Sequence, residues 1–273
     1  MNPTRLLIRI SLTLCLGFTL ACSLPQAKAA QQDYQPQVGQ EGKDVVWVPT
    51  PQALVDRMLD LAKLTPKDFL IDLGSGDGRT VISAAKRGAR AHGIEYNPDL
   101  VELSKSNAAK EGVSDRATFA KADLFESDFS KADVITMFLL SSINLKLRPK
   151  ILDLRPGIRV VSNTFDMGEW KADATATAAG CENWCTAFLW IVPAKVEGSW
   201  RVAQGELLLK QNFQMVSGTL KAGDKTLPVS GKLNGDQINF TAGGNQYTGR
   251  VAGNTMEGTM KPGGSWKATR AGK

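Results

Sequence analysis

Apolar residues change their spacing several times along this chain, and each change marks a different kind of element. Residues 54–62 put Leu54, Val55, Met58, Leu59, Leu61 and Ala62 on one helical face. An amphipathic helix is expected there, with Thr50 as its N-cap and Pro51 as its first residue. The unbroken run Phe69-Leu70-Ile71 reads as a buried strand, and it ends in Asp72 followed by glycines at 74, 76 and 78. A helix over 80–87 follows. Further strands are expected at 89–96, 117–120, 133–140, 159–165 and 188–193, and further helices from Asn97-Pro98 to about 111 and over 142–154. Strands alternating with helices predict an α/β fold, a Rossmann-like doubly wound sheet with an antiparallel last strand.

From Gly198 the helical stripe disappears and the chain alternates apolar with polar. A quasi-repeat runs through Val216-Ser217-Gly218-Thr219-Leu220, Val229-Ser230-Gly231-Lys232-Leu233, Tyr247-Thr248-Gly249-Arg250-Val251 and Met256-Glu257-Gly258-Thr259-Met260. Turn signals such as Asn234-Gly235-Asp236 and Gly253-Asn254 separate the copies. The pattern predicts a meander of short antiparallel strands, a small sheet or partial barrel with Trp200 and Trp266 in its core. The expected organisation is a leader at 1–29, a linker at 30–44, an α/β domain at 45–196 and a small all-β antiparallel domain at 197–273.

The leader reads as a secretory signal. Arg5 and Arg9 precede an apolar stretch at 10–20, too short for a comfortable membrane span, and Ala27-Lys28-Ala29 fits a small-x-small cleavage site. Export, most simply to a periplasm, is the expectation. Membrane anchoring, through lipidation of Cys22 or an uncleaved leader, is the alternative and would give membrane or envelope association through the N-terminus. Removing Arg5, Arg9 and Lys28 from the net charge of +6 leaves 30 basic against 27 acidic residues, a net near +3. With no dense Lys/Arg run, nothing points to a nucleic-acid partner. Cys15 and Cys22 fall in the leader, leaving Cys181 and Cys185; one histidine and one cysteine pair argue against a metal site. In an oxidising compartment the pair is expected as a local disulfide, with two buried thiols the alternative.

The chemistry is carried by the turn after the first strand. A dinucleotide site uses G-x-G-x-x-G to set a pyrophosphate on a helix N-terminus. Here the glycines run G-x-G-x-G behind Asp72, and this motif closely resembles the first motif of class I S-adenosylmethionine (SAM) methyltransferases. SAM carries no phosphate, and its amino-acid end is a zwitterion beside a sulfonium. Asp72 can meet the ammonium while Gly74, Ser75, Gly76, Asp77 and Gly78 wrap the ligand. Glu95, about twenty residues on, is placed to accept from both ribose hydroxyls. Asp123, after the third strand, is placed for the adenine amino group, and Thr50 in the entry loop is a further candidate contact.

The acceptor side lies beyond the fourth strand, at Phe138-Leu139-Leu140-Ser141-Ser142-Ile143-Asn144. The Asn/Asp-Pro-Pro-Tyr of enzymes acting on planar amides or bases is absent. An apolar mouth edged by Phe138 suits an alkyl amine entering as a neutral base, and Asn144 is either a partner for that amine or a packing residue. Together with Val48-Pro49-Thr50-Pro51, Gly93-Ile94-Glu95, 156–162 and 189–193, these segments resemble bacterial relatives of the ATP-synthase c-subunit lysine methyltransferases, over residues 45–195. The resemblance implies SAM as cofactor and N-methylation of a protein lysine or other amine. A small-molecule or lipid methyltransferase of the same fold, and a SAM-fold envelope protein that binds through its β module without turnover, are the alternatives.

Overall fold

The computed structural model describes residues 34–272; the leader, Cys15, Cys22 and the first linker residues lie outside the described residues. Seven strands form one sheet: β1 (Phe69–Leu73), β2 (Arg90–Glu95), β3 (Ala117–Lys121), β4 (Val134–Met137), β5 (Arg159–Asn163), β6 (Ala174–Thr177) and β7 (Thr186–Ile191). Their order is β3-β2-β1-β4-β5-β7-β6, with β1 to β5 parallel and β7 antiparallel to both β5 and β6. Successive strand residues point to opposite faces. Leu70, Val134 and Val161 therefore pack on α1 (Gln52–Leu61), α2 (Arg79–Lys86) and α3 (Pro98–Lys110). Ile71, Ile135 and Val160 pack on α4 (Ser141–Leu152) and on Trp170 and Trp190.

The sequence reading needs three corrections here. Helix α1 is capped by Pro51, whose ψ of 136° is not helical, so Gln52 is its first residue and Thr50 gives no cap bond. Strand β4 stops at Met137; the apolar run continues out of the sheet and lines a cleft instead. Strand β6 was absent from the expected set. It is built from Ala and Thr at the sheet edge, with no residue fully buried.

The tail closes completely. Strands β8 (Gly198–Val202), β9 (Gly205–Asn212), β10 (Met215–Ala222), β11 (Lys225–Asn234), β12 (Gln237–Ala242), β13 (Asn245–Ala252), β14 (Thr255–Lys261) and β15 (Ser265–Arg270) form an antiparallel barrel. Each pairs with the next, and β15 returns to β8 through Ala268 opposite Val202 and Arg270 opposite Trp200. Trp200 is fully buried, and the Trp266 indole meets the Phe240 and Tyr247 rings edge-on at 5.4 and 5.9 Å. Gly249 shows why the repeat carries glycine: a Cβ there would lie 2.6 Å from the Trp266 ring, so only glycine lets the wall close on that indole.

The barrel docks on the sheet through the β9–β10 turn. Phe213 stacks on the fully buried Trp170 (5.9 Å, 11° between planes), with the Arg148 guanidinium 5.3 Å from its ring centre. Gln214 donates to the Lys171 carbonyl at 2.8 Å, and Lys232 pairs with Asp173 at 2.8 Å.

Candidate active site

Open α/β sheets bind ligands at the carboxyl ends of their strands, where the strand order reverses. Here that point lies between β1 and β4, and a cleft opens there. Asp72, Gly74, Ser75, Gly76, Asp77, Glu95, Asp123 and Phe138 all line it, as does Thr50. Gly74, Gly76 and Gly78 take φ of 78°, 55° and 82°, which folds the turn tightly enough for the Gly74 and Ser75 amides to donate to the Ile94 carbonyl. Glu95 is held by that turn: its carboxylate accepts from the Gly76 amide and the Asn97 amide, both at 2.9 Å. Asp77 is engaged elsewhere, clamped by Arg79, whose guanidinium also donates to the Thr50 carbonyl. The Ser75 hydroxyl is buried against Gly93 without a hydrogen-bond partner among the described residues.

Asp72 is the electrostatic anomaly. Its carboxylate is 5% exposed and accepts a 2.6 Å bond from the Thr136 hydroxyl, with no cation beside it among the described residues. Burial raises its pKa from 3.8 to about 7, with the nearby Glu95 and Asp77 charges adding to the rise. A buried carboxylate at that price fits a ligand that brings its own positive charge. An amino-acid ammonium supplies that charge, so the donor set suits SAM.

A strap running from the expected linker (to residue 44) into the first residues of the α/β domain covers the cleft. The Trp47 amide donates to the Gln40 carbonyl and the Gly39 amide to the Trp47 carbonyl, pinching residues 39–47 into a loop. Within it, the Trp47 indole lies on the glycine turn, so close that a Cβ on Gly76 would be 2.6 Å from its nitrogen. Lys43 sits 4.9 Å from the Tyr96 ring centre and pairs with Asp123, which lowers the Asp123 pKa and raises that of Lys43. The remaining cavity is about 110 Å³, below the roughly 300–1,000 Å³ of typical small-molecule sites, so the two strap side chains take up ligand space. Lys43→Ala is therefore expected to tighten SAM binding, by up to about fivefold for an exposed pair, read by calorimetry. Weakened binding would show that Lys43 holds the ligand rather than its place.

Asn144 is not where an amine partner should be. It is fully buried at the start of α4, and its Nδ2 donates to the Phe165 and Asp166 carbonyls at 3.0 and 3.1 Å. Its amide nitrogen thus ties down the 165–166 loop, as the packing alternative requires, while its Oδ1 is buried without a partner among the described residues and the side chain is not part of the cleft lining. Thr50 lines the cleft, and its hydroxyl accepts from the Asn163 side-chain amide at 3.4 Å. Lys43, Trp47 and Tyr96 also line the cleft and are not among the candidates read from the sequence; the position of Tyr96 directly after Glu95 is the one available signal.

Residues 72–174 match the model of the ANTKMT methyltransferase domain. A protein-lysine N-methyltransferase of Saccharolobus islandicus is 45% identical over 130 residues, covering 46% of this chain and 81% of that protein. The human lysine N-methyltransferase named for the ATP-synthase c-subunit is 34% identical over 128 residues, and the chain spans only 54% of its length. The crystal structure of an RNA methyltransferase from Salinibacter ruber with S-adenosyl-L-homocysteine is 49% identical, with a TM-score of 0.52, and 96% of it is covered by 55% of this chain. The cradle, the buried carboxylate of Asp72 and these relatives agree: the chain belongs to the class I SAM-dependent methyltransferases.

Proposed function

We propose that this enzyme methylates the ε-amine of a protein lysine. The observation that carries the reading is the acceptor edge of the cleft, formed by Met137, Phe138, Leu139 and Ile143 with no ionisable side chain among them. Such a wall strips water from an amine and favours its neutral, nucleophilic form. When bound, SAM supplies a methyl group on a sulfonium, activated enough that no strong base is required. The protein then contributes position and dryness. In this reading Asp72 holds the ammonium, Glu95 the ribose hydroxyls and Asp123 the adenine amino group once Lys43 has withdrawn. Held in line by this apolar wall, the amine nitrogen would take the methyl group with loss of the carbon–sulfur bond, and the proton it then carries would be lost to water.

The relatives named for protein lysine support this acceptor. The RNA enzyme from Salinibacter ruber favours a second reading, against which stands the lack of any polar side chain in Phe138-Leu139-Leu140 to meet a base. The disulfide between Cys181 and Cys185 supports work in an oxidising compartment and so the exported reading of the leader.

Wild-type protein is expected to bind SAM with micromolar affinity in calorimetry, and Glu95→Ala to weaken it at least tenfold, because ribose contacts and the Gly76 tether go together. A flat wild-type titration would sink the assignment. Labelled SAM with envelope extract should yield protease-sensitive, ribonuclease-resistant label that hydrolyses to methyl-lysine; ribonuclease-sensitive label would select the RNA reading.

A further inference from the structure

Three aromatic rings meet at the carboxyl edge of the sheet, and only one belongs to the cleft described above. Phe138 follows β4; Phe165 follows β5 and stacks on it with ring centres 6.0 Å apart and 26° between planes. Trp184, just before β7, approaches Phe138 from elsewhere at 6.0 Å and 59°. Two of these rings are held by backbone that a side chain disfavours. Thr164, which turns Phe165 back toward Phe138, has φ of 58°, and Trp184 itself has φ of 53°. Non-glycine residues at such angles cost about 1–3 kcal/mol each and persist where surrounding structure enforces them.

The enforcement is visible at both rings. Asn144 pins the Phe165 loop from below, and the Thr164 amide donates to the Thr186 carbonyl at 2.7 Å. The Cys181–Cys185 disulfide ties off the loop that carries Trp184, beside the Ala178 amide donating to the Cys185 carbonyl at 2.9 Å. Yet Trp184 remains 43% exposed. A strained, cross-linked loop that leaves a large ring in solvent gains nothing for the core.

Resting on the lysine reading above, we infer that Phe138, Phe165 and Trp184 form the wall of the acceptor-lysine channel, and that the disulfide loop sets Trp184 as its outer lip. Aromatic faces hold a lysine stem by contact and a methylated ammonium by cation–π attraction. Phe138 reaches the cleft, so a side chain passing Trp184 first and Phe138 last arrives at the methyl donor.

The test uses the full chain labelled with 5-fluorotryptophan and saturated with S-adenosylhomocysteine, whose binding is checked by calorimetry on the same sample. The fluorine signal missing from Trp184→Phe identifies Trp184. Nα-acetyl-trimethyllysine methylamide is expected to shift that signal saturably, whereas the matching norleucine amide leaves it in place. Trp184→Gly removes the ring and relieves its backbone, so it should keep or raise the melting temperature while weakening the trimethyllysine probe at least tenfold. The Cys181→Ser/Cys185→Ser protein should weaken the probe several-fold with the homocysteine product still bound. Probe heat without movement of the Trp184 signal, an equal response to norleucine, or unchanged probe binding in Trp184→Gly would each overturn the assignment while leaving the lysine reading intact. Failure of S-adenosylhomocysteine to bind would overturn both.

Discussion

Asp72→Asn is expected to stabilise the ligand-free enzyme above pH 7 while weakening SAM binding by at least tenfold. Stability and function are opposed at this position because Asp72 is buried with the Thr136 and Thr80 hydroxyls for company and no cation beside it among the described residues. Its folded pKa of about 7 stands above its value in the unfolded chain. The unfolded chain therefore releases the proton first as pH rises from about 4, and the folded chain keeps it until about 7. The contribution of Asp72 to stability is complete below pH 4 and is lost progressively between pH 4 and 7. Asparagine can still accept from Thr136 and carries no charge to desolvate, so the variant escapes that loss. Thermal melts at pH 4 and pH 8.5 should show little difference between the two proteins at the lower pH, where the folded chain holds the proton and the unfolded chain has released only part of it. At the higher pH the variant should melt several degrees higher, at about 2–4 °C per kcal/mol for a chain of this size. Wild-type affinity for SAM should rise between pH 6 and 8 as the carboxylate ionises. If Asp72→Asn melts lower than wild type at pH 8.5, the carboxylate is a structural anchor and the buried-charge account fails.

Trp170→Ala should cost about 3–5 kcal/mol, the usual range for emptying a buried aromatic site, out of a total of about 5–15 kcal/mol. Trp170 is fully buried, its carbonyl accepts from the Trp190 indole at 2.7 Å, and its ring stacks on Phe213 from the barrel. It is thus the residue at which sheet core and barrel turn share a side chain. Wild type should unfold in urea in one transition by both far-ultraviolet circular dichroism and tryptophan fluorescence. In the variant the two signals should separate, the barrel and sheet melting at different midpoints. A loss below about 1 kcal/mol with coincident curves would show that Gln214 and the Lys232–Asp173 pair couple the halves without it.

What the sequence disclosed and what it withheld divide along the range of the interactions. The glycine turn, Asp72 and Glu95 were legible because a strand, a tight turn and a helix start are local and admit few residue types. The alternation after Gly198 announced strands. Whether eight of them would curl into a ring depends on cross-strand approaches such as Gly249 to Trp266, which no window of sequence displays. Strand β6 was invisible because its Ala-Thr-Ala-Thr stretch has no apolar contrast. Asn144 stayed between two readings for a different reason: a polar residue beside an apolar mouth fits chemistry and packing alike until the fold shows its amide tying down residues 165 and 166. Lys43 and Trp184 reach their partners Asp123 and Phe138 across 80 and 46 residues, and those pairings become visible only with the fold.

Ring closure has one more result. Residues 198–270 are almost continuous alternating strand, the composition from which fibres grow when an unpaired edge recruits a copy of itself. With β15 bonded back to β8, the ladder has no first and no last rung for a second molecule to extend. The enzyme thus carries a long stretch of strand, residues 198–270 with their turns, without the tendency to polymerise that an open sheet of the same sequence would have.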